Sequence, residues 1–125
     1  MRGVPLGISP WLKAFLITLL VEVPLAAFLL RQQEPRLSRL LLAGVYANLA
    51  THPLVWLVFA TLPLRPWAGI ALAELWAWLG EALFFVVVWR GLSWRRAAGV
   101  APLTNGASFG LGLLLYRWLQ DWMLT

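Results

Sequence analysis

Long apolar runs alternate with short polar breaks along the whole chain. Four runs are long enough to cross the hydrocarbon core of a bilayer, which takes about 20 residues of helix. The breaks contain proline, glycine or several charges, as expected where a membrane helix ends. The sequence predicts an all-α membrane protein, a single integral domain over residues 1–125 with no separate soluble part. The transmembrane helices are predicted over about residues 11–30, 40–62, 67–89 and 97–118.

The first apolar run could also belong to a signal peptide, since Arg2 precedes it and small residues lie near its end. The run continues to Leu30, however, and contains Glu22 and Pro24. The apolar region of a signal peptide is about 7–15 residues long and less polar than this. We therefore expect an uncleaved first span.

Composition strengthens the membrane interpretation. Of the 125 residues, 62% are hydrophobic and 12% are charged, whereas soluble domains have about 25% charged residues. The net charge of +5 comes from basic residues at the ends of the apolar runs, which is typical of topology signals rather than of nucleic-acid binding. Cysteine is absent, which excludes disulfides, thiolate metal sites and cysteine nucleophiles.

Basic residues are divided unequally between the two sides of the predicted bundle. Cytoplasmic loops carry the excess of Lys and Arg. We therefore expect the first and third loops in the cytoplasm of a bacterium, both termini outside it, and an inner-membrane location. The first and third loops hold Arg31, Arg36, Arg39, Arg90, Arg95 and Arg96, against Arg2, Lys13, Arg65 and Arg117 on the opposite side.

The polar residues within the spans repeat at matched spacings. Glu22 lies nine positions before Arg31, and Asn48 lies nine positions after Arg39, with Thr51 three positions further. We interpret the pattern as two repeated helical hairpins related by an axis along the membrane normal. Coincidence among the few polar residues of a short chain is the alternative. The second set is Glu81, Arg90, Arg96, Asn105 and Ser108, and the repeats cover about residues 11–59 and 67–118.

The nine-residue spacing predicts one depth for the acidic and amide residues. Nine residues of helix rise about 13.5 Å, close to half of the hydrocarbon thickness of about 30 Å. Glu22, Asn48, Glu81 and Asn105 are therefore expected near the midplane, one on each helix. A charged side chain facing lipid there costs at least about 2.5 kcal/mol, so we expect the carboxylates to point into the bundle.

Two further ionisable residues are predicted close to this layer. His52 shares one face of the second helix with Asn48 and Thr51, and Glu74 shares a face of the third with Glu81. His52 and Glu74 have similar predicted depths on adjacent antiparallel helices, which indicates an imidazole–carboxylate pair.

Ionisable groups inside a membrane are candidates for function by default. A low dielectric favours the neutral form of an acid, so Glu22 and Glu81 are candidate groups for binding and releasing a proton or a cation. In this hypothesis the two asparagines orient the carboxyls, and the histidine–carboxylate pair forms a relay. The predicted binding residues are Glu22, Asn48, Thr51, His52, Glu74, Glu81, Asn105 and Ser108.

Other interpretations fit the same residues. The polar groups could serve only as interhelical contacts, worth about 0.6–2 kcal/mol each, in a non-catalytic accessory subunit or assembly factor of a larger membrane complex. His52, Glu74 and Glu81 could instead bind a metal, although they lack a recognised metal-binding spacing. With a metal bound by these three residues, the chain would be a metal-dependent intramembrane enzyme. No catalytic spacing is present, so we favour a protein that is not an enzyme, and we predict no cofactor.

Small residues on the fourth helix, GASFG at 106–110 and Gly112, allow close helix packing. A neighbouring helix of the same chain, a homodimer and a larger membrane complex all fit this pattern. Besides the lipid bilayer, the predicted partners are thus a second copy or other membrane subunits, and no nucleic acid.

The segments NLATHP at 48–53 and NGAS at 105–108 resemble small bacterial four-span membrane proteins of uncharacterised function. The resemblance implies the four-helix architecture and no particular activity. From the residues themselves, the favoured function is a transporter or channel component that binds a proton, a cation or a small polar solute near the midplane.

Overall fold

The computed structural model describes residues 8–124, and the side chains of residues 10–122. Four α-helices and one short 3-10 turn at Phe59–Thr61 make up the regular structure of that range. Each α-helix is long and apolar enough to cross a membrane, which confirms the predicted all-helical fold and its four candidate spans. Arg2, counted above among the basic residues, lies outside the described residues. The helices are α1 (Ile8–Leu29), α2 (Leu37–Leu57), α3 (Pro66–Val88) and α4 (Trp94–Leu124).

The C-terminal ends of α2 and α4 differ most from their predicted positions. α2 ends at Leu57 rather than near residue 62. Pro63 disfavours helical geometry at Leu62, whose φ and ψ of −68° and 141° are extended. Only a short 3-10 turn therefore lies between the end of α2 and Leu62. α4 continues to Leu124 rather than ending near residue 118. Hydropathy marks where a helix leaves the hydrocarbon, whereas its backbone hydrogen bonds continue beyond that point.

The helices form a closed ring in the order α1, α2, α3, α4, and each packs against its two neighbours in the ring. Small side chains cover much of the inner faces, and large apolar side chains cover the outer faces. Small residues let the backbones of neighbouring helices approach closely. Such contacts stabilise helix pairs in a membrane, where no water is expelled from between the helices. The buried small residues are Ala26, Ala27, Ala43, Gly44, Ala47, Ala73, Ala77, Ala82, Ala97 and Ala101.

One half of the bundle, next to the α1–α2 and α3–α4 connections, is tightly packed. Leu30, Leu40 and Phe85 are among its buried core residues. Arg96 Nη2 donates a 3.1 Å hydrogen bond to the carbonyl oxygen of Leu29, satisfying an acceptor that the end of α1 leaves free. Ser93 Oγ accepts a 3.2 Å bond from the Arg96 amide at the start of α4. This half is therefore closed by side chains and by capped helix ends.

A proline inside α4 is compensated by a tryptophan of α3. Pro102 has no N–H to donate to the carbonyl of Ala98, four residues earlier. The indole Nε1 of Trp78 donates to that carbonyl oxygen at 2.8 Å. The interruption in α4 thus allows a hydrogen bond that joins α3 to α4.

Glycine permits close contact at the α2–α3 interface but not along α4. A Cβ added at Gly80 would lie 2.8 Å from Thr51 Cγ2, so any larger residue there would force Thr51 or its helix to shift. At Gly106, Gly110 and Gly112 an added Cβ would meet no atom of another helix within 4 Å in the part of the chain that the structure describes. The neighbouring helix of the same chain that we considered for these glycines is therefore not found there.

Candidate functional site

Two buried carboxyl groups face each other across the ring of helices. Glu22 of α1 is 2% exposed and Glu81 of α3 is 1% exposed. Their carboxyls are close enough to interact electrostatically. Within residues 10–122, neither one forms an ion pair with a lysine or arginine. The centre of the bundle thus holds two acids without a basic partner.

Glu81 is held from both neighbouring helices. Asn105 Nδ2 of α4 donates a 2.8 Å hydrogen bond to Glu81 Oε2 and also a 2.9 Å bond to its own helix at Ala101. On the other side, the Thr51 hydroxyl of α2 lies 3.4 Å from Glu81 Oε1 and 3.2 Å from the carbonyl oxygen of Ala47. The single hydroxyl proton is therefore shared between the two acceptors, and Asn105 is the stronger contact.

Glu22 is less completely satisfied. The Ser108 hydroxyl of α4 donates to Glu22 Oε1, whereas Glu22 Oε2 is buried without a hydrogen-bond partner. Asn48 of α2 lies beside the same carboxyl. Its Nδ2 donates a 3.0 Å bond to the Gly44 carbonyl, and its Oδ1 has no partner. Buried polar atoms are nearly always paired. The unpaired oxygens of Glu22 and Asn48 therefore mark a point where a proton or a cation can bind.

A cavity of about 340 Å³ leads to this layer from the end of the bundle that carries the α2–α3 connection. Glu22, Asn105 and Ser108 lie on its polar surface, together with His52 and Glu74. Apolar side chains form most of the remaining wall, and the packed half of the bundle closes the opposite end. The apolar wall includes Ile17, Val55, Trp56, Ile70, Ala73, Phe109 and Tyr116.

His52 and Glu74 line the cavity without contacting each other. The His52 ring packs edge-on against Phe15, with 5.3 Å between ring centroids, and its Nδ1 is buried without a partner. Glu74 is half-buried and interacts electrostatically with both Glu22 and Glu81. Within the described part of the chain no hydrogen bond or ion pair joins His52 to Glu74, so the expected imidazole–carboxylate pair is not formed.

The alternative metal ligands are not assembled either. His52, Glu74 and Glu81 do not form a group suited to holding a metal ion, and no other three His, Cys, Asp or Glu residues between positions 10 and 122 do so. His52 points its ring to Phe15, and Glu81 is occupied by Asn105 and Thr51. The contacts of His52 and Glu81 thus explain why these two side chains do not meet at a shared metal site.

The polar layer also reaches the outer surface of the bundle. Glu74 and Asn105 line a second, shallower pocket of about 320 Å³ between α3 and α4. Pro102 and Gly106 form part of its α4 side. The α3–α4 interface is therefore a place where the polar centre approaches the outer surface of the bundle.

The sequence analysis did not identify the residues of α4 that line the cavity beyond Ser108. Phe109, Gly112 and Tyr116 follow Asn105 at i+4, i+7 and i+11, which is one helix face, so extending the helical periodicity beyond Asn105 would have found them. Thr104 was also missed: it is fully buried, but its hydroxyl donates to Ala101 in its own helix at 2.9 Å.

No protein-family model, curated protein or solved structure matches this chain.

Proposed function

We propose that this chain is an integral membrane protein that binds a proton, a cation or a small polar solute at the centre of its helix bundle, as a small transporter or channel component. Exposed leucine, valine, phenylalanine and tryptophan side chains are distributed over all four helices. Apolar surface of this extent is unusual on soluble proteins. A lipid environment accounts for it together with the length of the helices.

The observation that carries the proposal is the pair Glu22 and Glu81. Removing a carboxylate from water costs several kcal/mol unless a counter-charge compensates it, and a second carboxylate nearby adds repulsion. No lysine or arginine within residues 10–122 pairs with either acid. A bound proton or another cation would supply the missing positive charge. The pair is therefore suited to reversible cation binding.

The cavity supplies the access that such a site requires. It connects one end of the bundle to Glu22, while the other end is closed by the core around Leu30, Leu40 and Phe85. A binding site reached from one side at a time is the arrangement that alternating access uses. In the proposal, a second conformation opens the packed half and closes the cavity.

We further propose that the chain consists of two repeated hairpins. In such a repeat Thr51 corresponds to Ser108, Glu22 to Glu81 and Asn48 to Asn105, so the contacts of one hairpin should recur in the other. Thr51 approaches Glu81, and Ser108 donates to Glu22. In addition, the side chains of Asn48 and Asn105 each donate to the carbonyl four residues earlier in their own helix, at 3.0 and 2.9 Å. We also propose a bacterial inner-membrane location with both termini outside the cytoplasm, an orientation that the distribution of basic residues supports.

A second candidate function is that of an accessory subunit or assembly factor in a larger membrane complex. Gly106 and Gly110 favour it, because they are spaced as small residues at helix interfaces are and leave open space on α4. The mass and composition of the particle purified in mild detergent separate the two functions. Stable association with unlike subunits would support the accessory role, and a particle made only of this chain would support the carrier.

Flux through liposomes tests the proposed carrier directly. The purified chain is reconstituted with a pH-sensitive dye inside for proton gradients, and with a Na⁺-sensitive or K⁺-sensitive dye inside for gradients of those ions. We expect flux above that of protein-free liposomes, and its loss in Glu22→Gln and in Glu81→Gln. Glu34→Gln is the matched control, since Glu34 lies outside the helices and pairs with Arg39 at 3.6 Å. Folded glutamine variants with unchanged flux would contradict the proposal.

A further inference from the structure

The size of the cavity points to a ligand larger than an ion. Its volume of about 340 Å³ exceeds by more than ten times the roughly 30 Å³ that one water molecule occupies in the liquid. It falls in the range of small-molecule sites, which begins at about 300 Å³. A proton or a bare metal ion at Glu22 would leave most of this volume unfilled.

Its polar groups select a positively charged ligand. Two of the residues that line it have buried atoms without a hydrogen-bond partner, namely Glu22 Oε2 and His52 Nδ1. Glu74 adds a second carboxyl to the wall. None of the described residues that line the cavity is a lysine or an arginine. An anion would meet two acids and neither a lysine nor an arginine, and an apolar molecule would leave the Glu22 oxygen unpaired.

Its apolar wall suits an organic cation rather than a hydrated one. Trp56, Phe109 and Tyr116 line the cavity on α2 and α4. The faces of aromatic rings attract cations, and this attraction is strongest when the cation has lost its water. A hydrated inorganic ion would instead bring its water against apolar side chains. The walls therefore favour a cation whose charge is surrounded by carbon.

From these observations we propose that the cavity binds a compact organic monocation, an ammonium with an apolar body, with Glu22 as its anionic partner. The inference rests on the proposed cation-binding function, and it specifies the class of substrate. The ammonium lies near Glu22 Oε2, and the apolar body lies among the aromatic side chains. A proton and the organic cation then compete for the same carboxyl, which is the coupling that a proton-driven carrier needs.

Charge selectivity is the first test. Binding of benzyltrimethylammonium to the purified full chain is measured by equilibrium dialysis, beside its neutral carbon isostere, neopentylbenzene, with detergent-only blanks. We expect the cation to bind roughly tenfold or more tightly than the isostere, because only the cation carries a charge that the Glu22 carboxylate attracts. Equal binding of the two, or no binding of the cation, would overturn the inference.

Filling the cavity is the second test. Gly112 lines the cavity, and a Cβ added there would meet no atom within 4 Å, so a leucine can extend into the space. We expect Gly112→Leu to weaken binding of benzyltrimethylammonium by roughly tenfold or more, since it removes room that the ligand needs. The control is Gly99→Leu, on the outside of α4 and equally open. Unchanged binding in folded Gly112→Leu would place the ligand elsewhere and reject the site.

The two proposals fail in distinguishable ways. Proton or inorganic-cation flux in wild-type liposomes, without binding of benzyltrimethylammonium, would reject the organic substrate and keep the cation-binding centre. Absence of both would reject the two together. If the Gly112→Leu variant does not fold, the charge selectivity of the wild-type chain still decides the inference.

Discussion

Asn105 of α4 donates a 2.8 Å hydrogen bond to the carboxyl of Glu81 on α3, and both side chains are buried. The same amide nitrogen bonds the Ala101 carbonyl of its own helix at 2.9 Å. Asn105 therefore joins a carboxyl to a rigid helix backbone, which limits where that carboxyl can move. Positioning of this kind is what a buried group needs if it is to bind and release a ligand at a constant geometry.

This contact predicts energetic coupling between its two partners. Asn105→Leu and Glu81→Leu each remove one side of the bond, so the double variant should lose less stability than the sum of the two losses. Hydrogen bonds of this kind between membrane helices contribute about 0.6–1.7 kcal/mol. Unfolding free energies in bicelles measure the coupling. Thr104→Val is the control, because the Thr104 hydroxyl bonds only within α4; coupling of similar size between it and Glu81→Leu would contradict this account.

The contact between Gly80 and Thr51 predicts that a single methyl group disturbs the site. Gly80→Ala would place a Cβ 2.8 Å from Thr51 Cγ2, forcing α2 and α3 apart. Overpacking of this kind costs about 1–3 kcal/mol. Gly99→Ala is the matched control, because its added Cβ meets open space and the better helix propensity of alanine stabilises by up to about 1 kcal/mol. Equal stability of the two variants, measured by unfolding, would show that the α2–α3 contact is looser than described.

The Trp78 bond to Ala98 predicts a rescue. Trp78→Phe leaves the Ala98 carbonyl without a donor, because Pro102 cannot supply one. An unsatisfied buried group costs about 1–3 kcal/mol. Adding Pro102→Ala restores the backbone N–H at position 102, so the double variant should recover much of the stability that Trp78→Phe loses. Thermal unfolding in detergent compares the variants, and the absence of any recovery would mean that the indole stabilises only by packing.

The proposed orientation predicts which loops can be labelled from outside. The chain has no cysteine, so a single added cysteine gives an unambiguous signal. In spheroplasts, a membrane-impermeant maleimide should label Leu64→Cys in the α2–α3 connection, and should label Gln32→Cys in the α1–α2 connection only after lysis. Both positions are exposed. The reverse pattern would invert the orientation, and the wild-type chain is the blank.

Much of the candidate site followed from helix geometry. Because each residue of a helix adds a constant rise, the spacing between Glu22 and Arg31 was enough to predict a depth near the centre of the span. The structure indeed brings the carboxyls of Glu22 and Glu81 near each other. His52 and Glu74 show where this reasoning stops. Equal depth does not determine rotation about the helix axis or the choice of neighbour, and the imidazole packs on Phe15 instead.

The sequence alone therefore determined the helical class, the four candidate spans and the level of the polar residues, because these depend on local hydropathy and on the constant rise of a helix. Only the tertiary structure decided that Glu22 pairs with Ser108, that Glu81 pairs with Asn105, and that a cavity opens to one end. Those features depend on the order of the helices around the ring and on the rotation of each about its axis. Both are set by packing between residues far apart in the chain, such as Gly80 against Thr51.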